Sequence, residues 1–110
     1  IRTMLARDPV AMHLTHYGRV GDVARLAADL IGQIDAMVAL AREAHGHADR
    51  HERLVESLAA FYVERARVHG APLAPEEVRS LLAIDIELNA QGLEIWLARE
   101  TAAKRPVQVR

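Results

Sequence analysis

The residues best suited to chemistry in this 110-residue chain are its histidines, of which there are six. Neutral imidazole binds Zn, Cu, Ni and Fe, so a cluster of histidines is a candidate site for one of these metals. A helical segment would bring histidines three or four positions apart onto one face. The candidate metal ligands are His45, His47 and His51, together with His13 and His16. The alternative is a polar turn rich in histidine, in which these side chains face water and bind nothing.

A second candidate site lies near the C-terminal end, where Asp85 and Asn89 are one helical turn apart among apolar residues. Burial of an unpaired carboxylate is costly, so we expect Asp85 to have a partner. One interpretation is a polar pair that fixes helix register. Another is a buried acid in a ligand-binding cavity, with Tyr62 and Trp96 as further lining residues. In the third, Asp85 simply faces water.

Several classes of enzyme find little support in the sequence. The chain has no cysteine, which excludes disulfides, thiolate metal sites and thiol nucleophiles. Its only serines, Ser57 and Ser80, lie in the middle of predicted helices without a glycine-rich elbow. Its only lysine, Lys104, is near the C-terminal end, and no glycine-rich phosphate loop is present. These absences favour a function other than catalysis.

Two short patterns nevertheless resemble those of helical enzymes. Arg42 and His47 have the R-x4-6-H spacing of the HEPN ribonucleases, which are small helical dimers. That resemblance implies an acid or base role for His47 and phosphate binding by Arg42. The run DRHERLVESL, at 49–58, together with Gln91 looks like the second and third helices of the all-helical chorismate mutases. There the resemblance implies that Arg50 helps to hold a dicarboxylate.

Composition and charge restrict the class of partner. Hydrophobic residues make up 51% of the chain and aromatic residues only 4%, which is typical of helices packed through Ala, Leu, Val and Ile. The net charge is -1, with 14 basic and 15 acidic residues interleaved, so we expect no nucleic-acid partner and no anionic membrane. No run approaches the roughly 18 apolar residues of a membrane span, and no basic segment followed by an apolar one opens the chain. We expect a cytoplasmic protein.

The order of helix signals predicts an all-α domain over residues 1–110. Asp8 and Pro9 favour a short N-terminal helix that ends at Gly18, and Pro75 favours the start of the last helix. Between them, apolar residues at helical spacing predict helices from Val23 to about Ala44 and from Asp49 to His69, and Pro106 should end the fold. We predict a short N-terminal helix followed by three long antiparallel helices in an up-down bundle.

The last predicted helix, Glu76 to Glu100, carries apolar residues on more than one side. Val78, Leu81, Leu82, Leu88 and Trp96 form one stripe, and Ile84, Ile86, Leu93, Ile95 and Leu97 extend the apolar surface around its flanks. A small bundle has few helices with which to cover so much apolar surface. We therefore predict a non-enzymatic homodimeric interaction or regulatory module that dimerises through this helix. The alternative is a sensor that binds a transition metal or a small ligand.

Overall fold

A computed structural model describes residues 1–105 of the chain, and the predicted end at Pro106 lies outside them. The described residues are mostly helical, as predicted, with one small antiparallel sheet that was not predicted. The elements in chain order are α1 (Arg2–Leu5), β1 (Met12–Leu14), β2 (Gly18–Val20), α2 (Val23–His45), α3 (Arg50–Val68), α4 (Pro75–Leu81) and α5 (Ala83–Ala103).

The chain divides into two compact units. The first contains residues 1–36, and the second begins at Met37. The single domain expected over residues 1–110 stays a prediction. Within residues 1–105, none of the helices has both the length and the hydropathy that a bilayer crossing requires.

The first unit contains a β-hairpin where we predicted a helix from Asp8 to Gly18, so that prediction is wrong. Met12 pairs with Val20, and Leu14 pairs with Gly18, in antiparallel register. Asp8 has a φ of 49°, in the left-handed region, so it does not serve as an N-cap. The turn of the hairpin also uses left-handed backbone, at His16 and Gly18, which is typical of tight hairpin connections.

One face of this hairpin helps to enclose an apolar hollow of about 280 Å³. Met12 and Leu14 alternate with His13, so the two apolar side chains point to one face of the strand and the imidazole to the other. Apolar side chains of α1 and of the first turns of α2 complete the lining. The period of two between Met12 and Leu14 is the sequence feature that favours a strand here.

The second unit has its core between α3, α5 and the last turns of α2. Leu54 and Leu58 on α3 are its largest fully buried side chains. They pack with small alanines and with apolar residues of α5: Ala41, Ala44, Ala59, Ile86, Ala90 and Leu97. Alanine at contact positions lets helix backbones approach closely, which fits a chain with few aromatic residues. The two leucines are four residues apart, so they lie on one face of α3.

The predicted single helix from Glu76 to Glu100 is interrupted at Leu82, which separates α4 from α5. Leu82 has φ and ψ of -102° and 9°, outside the α-helical region. Its side chain packs against the core, and its carbonyl oxygen accepts a hydrogen bond of 2.8 Å from the Ile86 amide. The predicted start is confirmed, because Pro75 is the first residue of α4 and the Ala74 amide donates to the Glu77 carboxylate at 3.3 Å.

Candidate functional site

The most prominent surface feature of the second unit is an apolar stripe on α5 that no described residue covers. Ile84 is 76% exposed, Leu88 is 59% exposed and Ile95 is 54% exposed. At about 100° per residue these three side chains fall on one side of the helix, and we call them the outer stripe. Ile86, Ala90 and Leu97 lie on the opposite side and are buried. The helix is therefore apolar on two opposite faces, and only one is covered in the single chain.

Asp85 lies beside the outer stripe and is exposed. Of the three interpretations that the sequence left open, the single chain matches the one in which Asp85 faces water. Asp85 lies about 100° around the helix from its neighbour Ile86, which is buried, so its side chain is directed away from the covered face. Whether a partner or ligand contacts Asp85 stays a prediction.

Two of the four residues predicted to line a ligand cavity do contact each other. The Asn89 side-chain amide donates a hydrogen bond of 2.9 Å to the Tyr62 hydroxyl, which in turn donates to the Met37 sulfur at 3.6 Å. Burial raises the pKa of the Tyr62 hydroxyl, the hydrogen bond from Asn89 acts in the opposite direction, and the charge of Asp85 adds a smaller increase. This chain of contacts joins α3 to α5 and to the end of α2.

Trp96 lies apart from that pair, in a second polar and aromatic contact. The guanidinium carbon of Arg42 is 5.2 Å from the centre of the Trp96 ring, within the range of a cation–π interaction. Arg42 also pairs with Glu100 at 3.0 Å. These contacts fasten the end of α2 to the end of α5, so the arginine that resembles the phosphate-binding residue of the HEPN ribonucleases already has an acidic partner.

The predicted metal ligands are distributed over several elements. His13 lies on β1 opposite Arg19, and His16 lies in the hairpin turn. In the second unit His45 is the last residue of α2, His47 follows in the turn, and His51 lies in the first turn of α3. Within residues 1–105, no three histidine or carboxylate side chains are arranged to hold a metal ion. Metal binding by these histidines stays a prediction.

His51 has the best-defined surroundings of the six histidines. Its Nδ1 atom is 2.7 Å from Oε2 of Glu94, and its Nε2 atom is 2.9 Å from Oε1 of Glu87. The imidazole thus bridges two carboxylates of α5, and we call these three residues the His51 clamp. Hydrogen bonds to Glu94 and then to Glu87 raise the pKa of His51 above its usual 6.5, against an opposing effect of burial.

The two glutamates of the clamp were not among the residues singled out from the sequence. They are seven residues apart on α5, which places them two turns apart on one face. Gln91 lies between them and donates to Glu87 at 3.0 Å. That hydrogen bond, followed by the contact with His51, lowers the pKa of Glu87 below its usual value. The spacing of Glu87, Gln91 and Glu94 is the signal that could have identified this face.

A polar crevice of about 430 Å³ lies between the end of α2 and the start of α3. Four carboxylates line it, from Glu43, Asp49, Glu52 and Glu56, together with His47 and Arg53. Arg53 pairs with Asp49 at 2.7 Å, and Glu56 pairs with Arg79 at 2.8 Å. An excess of carboxylates repels phosphate, so the surroundings of His47 do not favour ribonuclease chemistry.

Arg50, the cation suggested by the resemblance to chorismate mutases, is 3.9 Å from Glu94 through its Nε atom. It therefore faces a carboxylate of its own chain. The comparisons with known proteins add no alternative, since no protein-family model, curated protein or solved structure matches this chain. The site must be interpreted from its own geometry.

Proposed function

We propose that this protein is a non-enzymatic, cytoplasmic interaction module that forms a homodimer through the outer stripe of α5. The observation that supports the proposal is the exposure of Ile84, Leu88 and Ile95 in one line on a helix whose opposite face is already buried. An ordinary surface helix has one apolar face, directed toward its own core. A second apolar face is typical of a helix shared with another chain.

The spacing of the stripe suits a helical partner. Ile84, Leu88, Gln91 and Ile95 follow one another at intervals of four, three and four residues, as do the core positions of paired helices. Full burial of one isoleucine or leucine side chain contributes about 1.5–3 kcal/mol to the free energy of association. In a symmetric dimer both subunits bury the same residues, so each position contributes twice. Gln91 is the polar member of the row, and a polar residue at such a position restricts register.

The proposed dimer also requires an arrangement of helices that leaves α5 accessible. We propose an up-down arrangement in which α2 and α3, joined by the short turn after His45, run antiparallel and present α5 at one side. Contacts of α5 with α3, such as that between Asn89 and Tyr62, occupy its inner face and flank. The outer stripe then remains free for the second copy.

The proposal predicts that Leu88→Glu disrupts association. A charge at the centre of an apolar seam must be buried unpaired or prevent contact, so the dimer dissociation constant should rise at least about tenfold, or about 1.4 kcal/mol. Sedimentation velocity over a concentration series measures this constant. Val68→Glu is the matched control, because Val68 is 58% exposed, as Leu88 is 59% exposed, but lies at the end of α3.

Two results would contradict the proposal. One is a native protein that sediments as a monomer at every concentration up to millimolar. The other is a dimer whose dissociation constant responds equally to Leu88→Glu and Val68→Glu. Circular dichroism of both variants checks that the helix content is retained, as we expect because both positions are exposed.

The alternative function is a sensor of a transition metal or a small ligand. Its metal form draws on His47, Glu43, Asp49 and Glu52, which line one crevice and are of the types that bind Zn. In residues 1–105 they are not arranged to hold an ion, so a metal would have to draw them together. Purification without a histidine tag, followed by mass spectrometry of the bound metal, tests it. Stoichiometric Zn, Ni or Cu would favour the sensor over the dimer module, and no binding after metal addition would exclude its metal form.

A further inference from the structure

The feature that carries an inference beyond the proposed function is the His51 clamp, which joins the first turn of α3 to α5. Both ring nitrogens of His51 are within hydrogen-bond distance of a carboxylate oxygen, Nδ1 of Glu94 and Nε2 of Glu87. A neutral imidazole has one N–H and so donates to only one of them. Its other nitrogen then directs a lone pair at a carboxylate. Only the protonated ring satisfies both contacts, and both hydrogen bonds are then charge-assisted.

The charged groups around the ring come from two elements. Glu87 and Glu94 face it from α5, and on its own helix Arg50 lies 3.9 Å from Glu94. Gln91 contributes a neutral donor to Glu87 at 3.0 Å. Each carboxylate therefore has a second donor besides His51. Loss of the proton leaves Glu87 bonded within α5 and Glu94 near Arg50, while the imidazole keeps one hydrogen bond at most.

We propose that the His51 clamp is a protonation switch. The charged ring holds the first turn of α3 to α5 through two hydrogen bonds, and the neutral ring keeps one at most beside the Arg50–Glu94 contact, so the turn loosens. The core is not part of this switch, because Leu54 is fully buried one turn later and anchors the rest of α3. The segment that loosens is thus confined to residues 50–53. Its Arg53 amide donates to the Asp49 carbonyl at 3.1 Å, which provides a local probe of the first turn.

The sign of the pH dependence follows from the contacts. Glu94 and Glu87 raise the pKa of His51 above the usual 6.5, so the folded state holds this proton more tightly than the unfolded chain does. The stabilisation is fully present below about pH 6.5 and is lost as the pH rises through the pKa of the folded protein. The switch therefore opens on the alkaline side of that range and closes on the acidic side.

The first experiment is a titration of the His51 ring by nuclear magnetic resonance in four proteins: native, Glu94→Gln, Glu87→Gln and the double variant. The glutamine side chain keeps the shape of glutamate without its charge, so we expect the pKa of His51 to fall in each single variant and to fall furthest in the double. Glu64→Gln is the control on α3, the helix that carries His51, because Glu64 pairs with Arg67 and not with His51. It should leave the pKa of His51 unchanged.

The second experiment measures hydrogen exchange of the Arg53 amide, as a protection factor corrected for the intrinsic effect of pH on exchange. We expect protection to fall as His51 loses its proton, and protection of the buried Leu58 to stay constant. In His51→Gln the protection of Arg53 should not depend on pH in this range. Repeating both measurements in the Leu88→Glu background separates this switch from dimer formation.

The proposal is overturned if the double variant leaves the pKa of His51 where it is in the native protein, because the carboxylates would then not hold the proton. It is also overturned if His51 titrates as expected while the protection of Arg53 stays constant. In that case the clamp would bind a proton without fastening the helix.

Discussion

The inner and outer faces of α5 have the same kinds of residue and opposite surroundings. Ile86 on the inner face is 3% exposed, and Ile84, two residues earlier, is 76% exposed. Hydropathy along the sequence does not distinguish the two, because each isoleucine costs the same to leave in water. The difference between the faces comes from α3, whose Leu54 and Leu58 cover only one of them. Burial is therefore set by a neighbouring helix and not by the sequence of α5.

The largest difference between the two faces is expected when each isoleucine is replaced by alanine in a separate variant. Ile86→Ala removes buried atoms and leaves a cavity, so we expect the free energy of unfolding to fall by about 2–5 kcal/mol. Ile84→Ala removes atoms that already face water and should change it by less than about 0.5 kcal/mol in the monomer. Urea denaturation at a concentration below dimer formation measures both. Equal losses would mean that the two faces are buried alike.

A smaller effect is expected from enlarging the inner face at Ala90, which is fully buried. Ala90→Leu forces additional methyl and methylene groups between α5 and α3, so we expect a loss of about 1–3 kcal/mol. Ala98→Leu, at an exposed position of the same helix, is the control and should be nearly neutral. Denaturation curves for the two variants give the comparison, and a neutral Ala90→Leu would show that the inner face is loosely packed.

The smallest effect, and the one with the opposite sign, is expected at Gly92 on the flank of the outer stripe. Apart from its chain neighbours and the backbone of its own helix, a Cβ atom there would meet no atom within 4 Å, and glycine within a helix costs about 0.5–1 kcal/mol relative to alanine. Gly92→Ala should therefore stabilise the monomer by that amount, as should the control Gly32→Ala in α2, where the space is also open. A dissociation constant raised by Gly92→Ala and not by Gly32→Ala would place Gly92 at the proposed seam.

Part of the fold could be predicted from the sequence because its signals are local. Pro75 marks the start of α4, and the spacing of Leu54 and Leu58 marks the buried face of α3. The hairpin could not be distinguished from a helix by the same means, since Val10, Leu14 and Tyr17 fit a helical period while Met12 and Leu14 fit a strand period. The break at Leu82 could not be predicted, because no glycine or proline lies near it in the sequence.

The candidate site could not be predicted in the same way, because it depends on contacts between residues that are distant in the sequence. In the sequence, Leu88 was assigned to the apolar stripe and Ile84 and Ile95 to its flanks, but their exposure depends on which face α3 covers. The partners of His51 lie 36 and 43 residues away along the chain, so no local spacing of histidines could identify them. The sequence left open whether Asp85 is buried or faces water, because the answer depends on which face of α5 packs against α3.

The break at Leu82 limits how strongly a pair of these helices can hold together. Leu81 belongs to α4, so the outer stripe begins only at Ile84 and extends about 17 Å to Ile95. In the proposed dimer, a contact this short would exchange partners readily, and the fraction of paired chains would follow the amount of protein that the cell makes. In such a protein, abundance itself is the signal that determines whether the paired state forms.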